Sequence, residues 1–114
     1  MSRVLNFPVF DSEVLEISDA AATLTLEQNK MYFLTSQSLS SIVIQGVSAG
    51  FKYCGLSFDS PADAAPTFGV PSTGFYFTGK DCSSGVFTPQ TGVRYHLAVE
   101  YIIDHIVVWV AKEE

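Results

Sequence analysis

The stretch Val93–Lys112, VRYHLAVEYIIDHIVVWVAK, decides the fold class of this chain. In its first half apolar and polar side chains alternate, which is the two-residue period of a half-buried strand. Its second half, HIVVWVA, is rich in β-branched residues and contains the only Trp, so it predicts a second strand. The pair predicts an antiparallel hairpin that turns around Ile103, Asp104 and His105. Since an isolated hairpin is marginal in water, the upstream segments must supply a second layer.

Upstream of this hairpin, short apolar segments are separated by turn residues at intervals of about 8 to 12 residues. Alternation is clear in TLTLE, which leads through a Gln-Asn-Lys turn into MYFLT and so predicts a further hairpin. No helical period is found. The pattern predicts one all-β domain over residues 14–114, an antiparallel, jelly-roll-like β-sandwich of about nine or ten short strands. Residues 1–13 are interpreted as an N-terminal arm.

Length and charge limit the function further. A chain of 114 residues fits a single domain. Its charged fraction of only 16% is typical of all-β folds and also of chains that bury surface against other copies, so oligomerisation is expected. The net charge of −6 and the absence of clustered basic residues argue against a nucleic-acid partner. No apolar run is long enough for a signal peptide or a membrane helix, so we expect synthesis in the cytoplasm and no membrane partner.

Cys54 and Cys82 are far apart and belong to no metal-binding motif. In the reducing compartment that the missing signal implies, free thiols are expected, with a disulfide as the less favoured alternative. No cofactor fingerprint is present, and no cofactor is expected.

The pentapeptide Gly46–Gly50, GVSAG, matches the GxSxG pattern of hydrolases, in which the central Ser is exposed between a strand and a helix. Here another strand segment follows, and only two histidines could serve as a base. A glycine-rich turn is therefore the favoured interpretation, and Ser48 is kept only as a minor alternative. No catalytic residue is predicted, and the chain is not expected to be an enzyme.

Several other polar residues have side chains of the types that act as metal ligands or general bases. His96 lies on the outward face of its strand and is interpreted as a surface residue with polar cross-strand neighbours. Asp104 and His105 are explained by the tight turn, where a metal would need a further ligand. Three loop aspartates lack calcium-binding spacing and are interpreted as solvated: Asp59, Asp63 and Asp81. No metal site is predicted.

Surface aromatic and apolar residues supply the candidate interface. In the run Phe75–Phe77 at least one ring must point away from the face that its neighbours bury, and such a ring packs against another copy more often than against a sugar. Trp109 is interpreted as core or subunit interface. The interface candidates are Val4, Leu5, Phe7 and Val9 of the arm together with Phe75, Tyr76, Phe77 and Trp109.

Four motifs, LEQNKMY, LSSI, FDSPADAAPT and PQTGVRY followed by a hairpin that ends in Trp-Val, resemble a β-sandwich domain that recurs in structural proteins of tailed phages and prophages. The resemblance covers residues 22–111, and both cysteines and the Phe75–Phe77 run depart from it. The matching residues are Leu26, Glu27, Asn29, Tyr32, Leu39, Ile42, Phe58, Ser60, Pro61, Pro66, Thr67, Pro89, Gly92, Tyr95, Trp109 and Val110.

The resemblance implies a non-enzymatic virion or tail-associated module that self-associates, with a homotrimer favoured. Other virion proteins or a host surface glycan are the further partners that it suggests, and the virion is the location if the chain is phage-derived. The alternative function is a carbohydrate-binding β-sandwich module.

Overall fold

The computed structural model describes residues 13–47, 50–69 and 75–113, and these form eleven β-strands without a helix. In chain order the strands are β1 (Glu13–Ile17), β2 (Ala21–Thr25), β3 (Lys30–Leu34), β4 (Ser41–Gln45), β5 (Cys54–Asp59), β6 (Thr67–Gly69), β7 (Phe75–Gly79), β8 (Cys82–Ser83), β9 (Val86–Phe87), β10 (Arg94–Ile102) and β11 (His105–Lys112). None of the described residues belongs to a helix that is long and apolar enough to cross a membrane.

The strands form mixed sheets. One sheet has six strands in the order β1-β3-β5-β10-β11-β7, the second has the order β2-β4-β6, and β8 pairs with β9. From β1 to β6 the chain crosses to the other large sheet after every strand and returns in its original direction. Consequently β1, β3 and β5 are parallel to one another, and so are β2, β4 and β6.

The predicted all-β class is confirmed, whereas the antiparallel pairing is present only in part. Antiparallel pairs join β5 to β10, β10 to β11 and β8 to β9, but β7 joins β11 in parallel. The expected hairpin around Gln28 and Asn29 is wrong, because this turn carries the chain from β2 in one sheet to β3 in the other. Side-chain alternation is the same in parallel and antiparallel strands, so it cannot specify the partner.

The hairpin predicted between residues 93 and 112 is confirmed. Residues of β10 pair with residues of β11 from Tyr95 opposite Lys112 to Ile102 opposite His105. The turn itself consists of Ile103 and Asp104, and Ile103 adopts a positive φ of 59°. The predicted number of nine or ten strands falls just short of eleven, and two of the strands, β8 and β9, have only two residues each.

The apolar faces of the two large sheets meet in one hydrophobic core, an arrangement compatible with a β-sandwich. At its centre five aromatic rings from five strands contact one another, with the centroids of neighbouring rings 5.0 to 6.5 Å apart. These rings are Phe58, Phe68, Phe77, Phe87 and Tyr95. Each fully buried ring contributes about 1.5–3 kcal/mol through the removal of apolar surface from water.

Candidate functional site

The outer face of the six-stranded sheet carries a row of polar side chains from β5 and β10. Ser57 lies directly opposite His96, and Asp59 lies opposite Arg94. Each pair therefore projects from neighbouring strands on the side of the sheet that faces away from the core. Cross-strand neighbours of this kind are close enough for their polar groups to bond.

Ser57, His96 and Glu113 form a hydrogen-bonded chain. The Oγ of Ser57 is 2.8 Å from Nδ1 of His96, and Nε2 of His96 is 2.7 Å from Oε2 of Glu113. Because an ionised carboxylate can only accept, Nε2 of His96 donates to Glu113. In the neutral form of the imidazole, Nδ1 then accepts from the Ser57 hydroxyl, and these two bonds define both the tautomer of that form and the direction of the hydroxyl.

Arg94 and Asp59 form a bidentate ion pair beside this chain. Nε of Arg94 is 2.6 Å from Oδ1 of Asp59, and Nη2 is 3.0 Å from Oδ2. The hydrogen bond from the guanidinium holds the pKa of Asp59 below its usual value and raises the pKa of Arg94. More than half of each side chain is exposed, so the pair contributes little to stability and both charges are accessible from solvent.

The order hydroxyl, imidazole, carboxylate is the one that activates a nucleophilic serine. Ser57, however, lies inside β5, which pairs with β3 on one side and with β10 on the other. The backbone N–H groups around it therefore lie within these strand ladders, which differs from the free N–H donors that stabilise an oxyanion next to a nucleophilic serine.

Small residues on β5 make this part of the face concave. Gly55 and Ser57 form the floor between the side chains of β3 and those of β10. We call this depression the trough, and it is lined by Met31, Phe33, Gly55, Ser57, Arg94 and His96. Met31 lies so close to Gly55 that a Cβ there would be 2.5 Å from its sulfur.

A second feature is an apolar surface at the turn between β10 and β11. Ile103 is 91% exposed, and Tyr76 and Ile102 beside it are also exposed. With Val107 they line a shallow depression of about 360 Å³, which Asp104 and His105 border. We call Tyr76, Ile102, Ile103 and Val107 the tip patch. Asp104 and His105 bond to each other there.

The predicted interface residues are distributed between the core and the surface. In the run Phe75–Phe77, Phe77 is a core residue and Phe75 is half-buried against the core, so Tyr76 is the outward ring. Trp109 is 47% exposed and therefore not a core residue, and its Nε1–H donates to Oε1 of Glu100 at 2.7 Å. Val4, Leu5, Phe7 and Val9 lie outside the described residues.

The glycines at both ends of the GVSAG segment have the positive φ values that are typical of turns. Gly46 follows β4 with a φ of +92°, and Gly50 has a φ of +89°. Ser48 lies outside the described residues, and the next element along the chain is the strand β5. A helix does not follow the serine here, unlike the arrangement that the hydrolase motif requires.

The remaining polar candidates are separated from one another. Asp81 bonds to Tyr95 and Lys112, whereas Asp59 bonds to Arg94, and Asp63 is exposed in a loop. Within residues 13–47, 50–69 and 75–113, no three His, Cys, Asp or Glu side chains are grouped to hold a metal ion. Cys54 and Cys82 are both free thiols, which confirms that expectation.

Sequence reasoning found His96 but missed Ser57 and Glu113. Ser57 is 39 positions away from His96 and Glu113 is 17 positions away, so no local pattern joins them. The one available signal was the outward position of Ser57 in the alternating segment CGLSFD. Its pairing with His96 depends on the register between β5 and β10.

Comparisons with protein-family models, curated proteins and solved structures found no match for this chain.

Proposed function

We propose that this chain is a non-enzymatic structural or adhesion module of a phage or prophage particle, and that it self-associates through exposed apolar surface. The phage assignment rests on the sequence resemblance, which also favours a trimer. Self-association is supported by the tip patch, and this observation carries the proposal. We also propose that the two large sheets are the two layers of one β-sandwich.

Ile103 makes the tip patch difficult to explain in an isolated monomer. A β-branched residue in the left-handed region of backbone conformation costs free energy, and glycine or asparagine would fit the turn better. The Ile103 side chain is also almost entirely exposed to water, next to the exposed side chains of Tyr76 and Ile102. Burial against a second copy would recover the apolar surface at about 25 cal/mol per Å². Strained exposed apolar residues of this kind mark interaction sites.

The charges at the tip suit an interface between identical copies. Asp104 and His105 are adjacent and highly exposed, so one copy presents both an acceptor and a donor to the next. In a symmetric contact, Asp104 of each copy can bond to His105 of another copy, so that no unpaired charge is buried. At the far edge of the same sheet, β1 has a strand neighbour on only one side in the described part of the chain, and Val14 there is exposed. Such an edge offers a second assembly surface.

Light scattering over a dilution series tests the proposal. We expect the full chain to have about three times its own mass of 12.4 kDa. Ile103→Asn should raise the dissociation constant by at least about tenfold, equivalent to about 1.4 kcal/mol. Ser84→Asn is the matched control, because Ser84 also has a positive φ but lies in the β8–β9 turn.

The arm was predicted over residues 1–13, but Glu13 is the first residue of β1. A chain without residues 1–12 therefore measures the contribution of the arm and leaves β1 complete, and a looser assembly would support a position of the arm at the subunit interface. A monomer at every concentration would contradict the self-association proposal. An oligomer that is unaffected by Ile103→Asn would remove the tip patch from the interface.

A carbohydrate-binding module remains the second proposed function. The observation in its favour is the trough, where aromatic and polar side chains converge on a concave surface.

A further inference from the structure

The trough continues beyond its central residues into an elongated depression along β5. Cavities of about 320, 310 and 440 Å³ follow one another. The first two share Ser57 and His96, and the last two share Asp59 and Arg94. From Tyr53 to Ser60 the strand and its ends extend about 23 Å at ~3.3 Å per residue. The shape therefore suits a chain-like ligand of several units.

Partly exposed rings border this depression. Phe33 lies on its β3 side, Tyr53 at one end, and Trp109 beyond the small side chain of Ala98. The hydrogen bond from Trp109 to Glu100 restricts the orientation of the indole, so that its exposed surface is held in place. Aromatic rings in such positions can pack against the C–H faces of sugar rings. These faces are apolar, so they lose few hydrogen bonds with water when an aromatic ring covers them.

The polar groups between these rings include both donors and acceptors. Arg94 offers N–H groups, Asp59 offers carboxylate lone pairs, and Ser57 with His96 offers a hydroxyl of fixed direction. The buried hydroxyl of Ser60, on the wall of the last cavity, has no hydrogen-bond partner in the described part of the chain. Neighbouring sugar hydroxyls can donate to Asp59 and accept from Arg94 at the same time.

Two other chain-like ligands fit less well. An extended peptide adds to a sheet through its backbone, but β5 already pairs on both sides and is not an edge. A polyanion such as a nucleic acid or sulfated glycan would meet a chain of net charge −6, with Asp59 and Glu113 beside the site. An uncharged ligand avoids this repulsion.

We propose that the trough binds a neutral glycan chain, with Phe33 packing against a sugar ring and Arg94 and Asp59 bonding its hydroxyls. This inference deepens the carbohydrate-binding alternative and does not depend on self-association.

The intrinsic fluorescence of Trp109, the only Trp in the chain, provides a direct test. The full chain would be titrated with cellohexaose, chitohexaose and maltohexaose, and with heparin oligosaccharide as the polyanion. We expect a saturable change in emission with at least one neutral oligosaccharide and none with heparin. Phe33→Ala and Arg94→Gln should each weaken binding by at least about tenfold, because each removes one kind of contact.

Val86→Ala is the matched control, since Val86 is an exposed apolar side chain outside both the trough and the tip patch. It should leave glycan affinity unchanged. Circular dichroism and light scattering on every variant separate a loss of binding from unfolding or dissociation. The proposal is overturned if none of the three neutral oligosaccharides binds, if only heparin binds, or if Val86→Ala weakens binding as much as Phe33→Ala.

Discussion

Tyr95 is a fully buried ring whose hydroxyl joins three parts of the chain. The hydroxyl donates to Oδ2 of Asp81 at 2.5 Å and accepts from the backbone N–H of Gln90 at 2.9 Å. Nζ of Lys112 is 3.3 Å from the same carboxylate oxygen. These bonds hold the residue before β8 and the segment between β9 and β10 against the core.

We expect Tyr95→Phe to lower the free energy of unfolding by about 1–3 kcal/mol, because Asp81 and Gln90 both lose a hydrogen-bond partner in a partly buried place, and the bond to Asp81 involves a charged group. Urea unfolding measures the change, and Tyr53→Phe, at an exposed ring, is the control. A loss no larger than that of the control would contradict the assigned role of the hydroxyl.

The same variant should alter the acid dependence of stability. The hydrogen bond from Tyr95 is the main reason why the pKa of Asp81 lies below its usual value. A lowered folded-state pKa contributes stability above the unfolded-state pKa, and this contribution is lost as the pH falls through the folded-state value. The difference between wild type and Tyr95→Phe should therefore be larger at pH 7 than at about pH 2. Unfolding at several pH values measures this difference, and an equal difference throughout would contradict the linkage.

Cys54 is enclosed in the core, and burial raises the pKa of its thiol to about 12. Since the thiolate is the reactive form, the native chain should expose no fast-reacting thiol at this position. We expect a disulfide-exchange reagent at pH 8 to label at most one thiol per folded chain, at Cys82, and two in denaturant. Cys82→Ser provides the control: rapid native labelling of that variant would show that Cys54 is accessible.

At the scale of elements, the β10–β11 hairpin carries strain in its turn. Replacing Ile103 by Asn should raise the free energy of unfolding of the monomer by about 1 kcal/mol, because Asn tolerates a positive φ better than a β-branched residue. Thermal unfolding at a concentration below that of assembly measures the effect. Destabilisation instead would mean that Ile103 already makes favourable contacts within one copy.

The approach of β7 to β11 requires a glycine at its end. Gly79 has a φ of +117°, and a Cβ there would lie 2.2 Å from the carbonyl oxygen of Val110. Gly79→Ala should cost more than about 2 kcal/mol, because a rigid backbone atom must move. Gly50→Ala is the matched control, since Gly50 also has a positive φ but a Cβ there would meet no atom of the described residues within 4 Å. Denaturant unfolding should show a clearly smaller loss of unfolding free energy for Gly50→Ala. Equal losses would mean that the positive φ causes the effect and that the close approach to Val110 adds nothing.

For the whole molecule, the alternation of β1 to β6 between two sheets makes strand pairing non-local. Glu13 pairs with Lys30, Met31 with Gly55, and Phe75 with Ile106. Each pair closes a long loop before its contacts can stabilise the chain, so we expect refolding in milliseconds to seconds. Stopped-flow fluorescence of Trp109, on the strand between β10 and β7, measures it. Refolding within microseconds would contradict this expectation.

The tip patch and the trough lie at different places on the six-stranded sheet. Substitutions in one therefore leave the other intact, and self-association and glycan binding can be tested in the same set of variants. The two proposals can succeed or fail separately.

Local patterns in the sequence were sufficient to predict the all-β class, most of the strands and one pairing. The alternation from Val93 to Tyr101 and the adjacent β-branched segment predicted β10, β11 and their hairpin, because a short turn leaves neighbouring strands little choice of partner. The same alternation within Phe75–Phe77 required an outward ring, which is Tyr76.

The direction of the other pairings and the composition of the candidate site depended on packing between distant segments. A strand exposes the same backbone groups and the same side-chain faces whether its neighbour is parallel or antiparallel, so the sequence around Gln28 did not reveal that β2 and β3 belong to different sheets. Ser57 and Glu113 reach His96 only because β5 and the end of β11 flank β10 in one register. That register is selected by burial of the whole core, since a shift of one residue would turn its apolar side chains towards water.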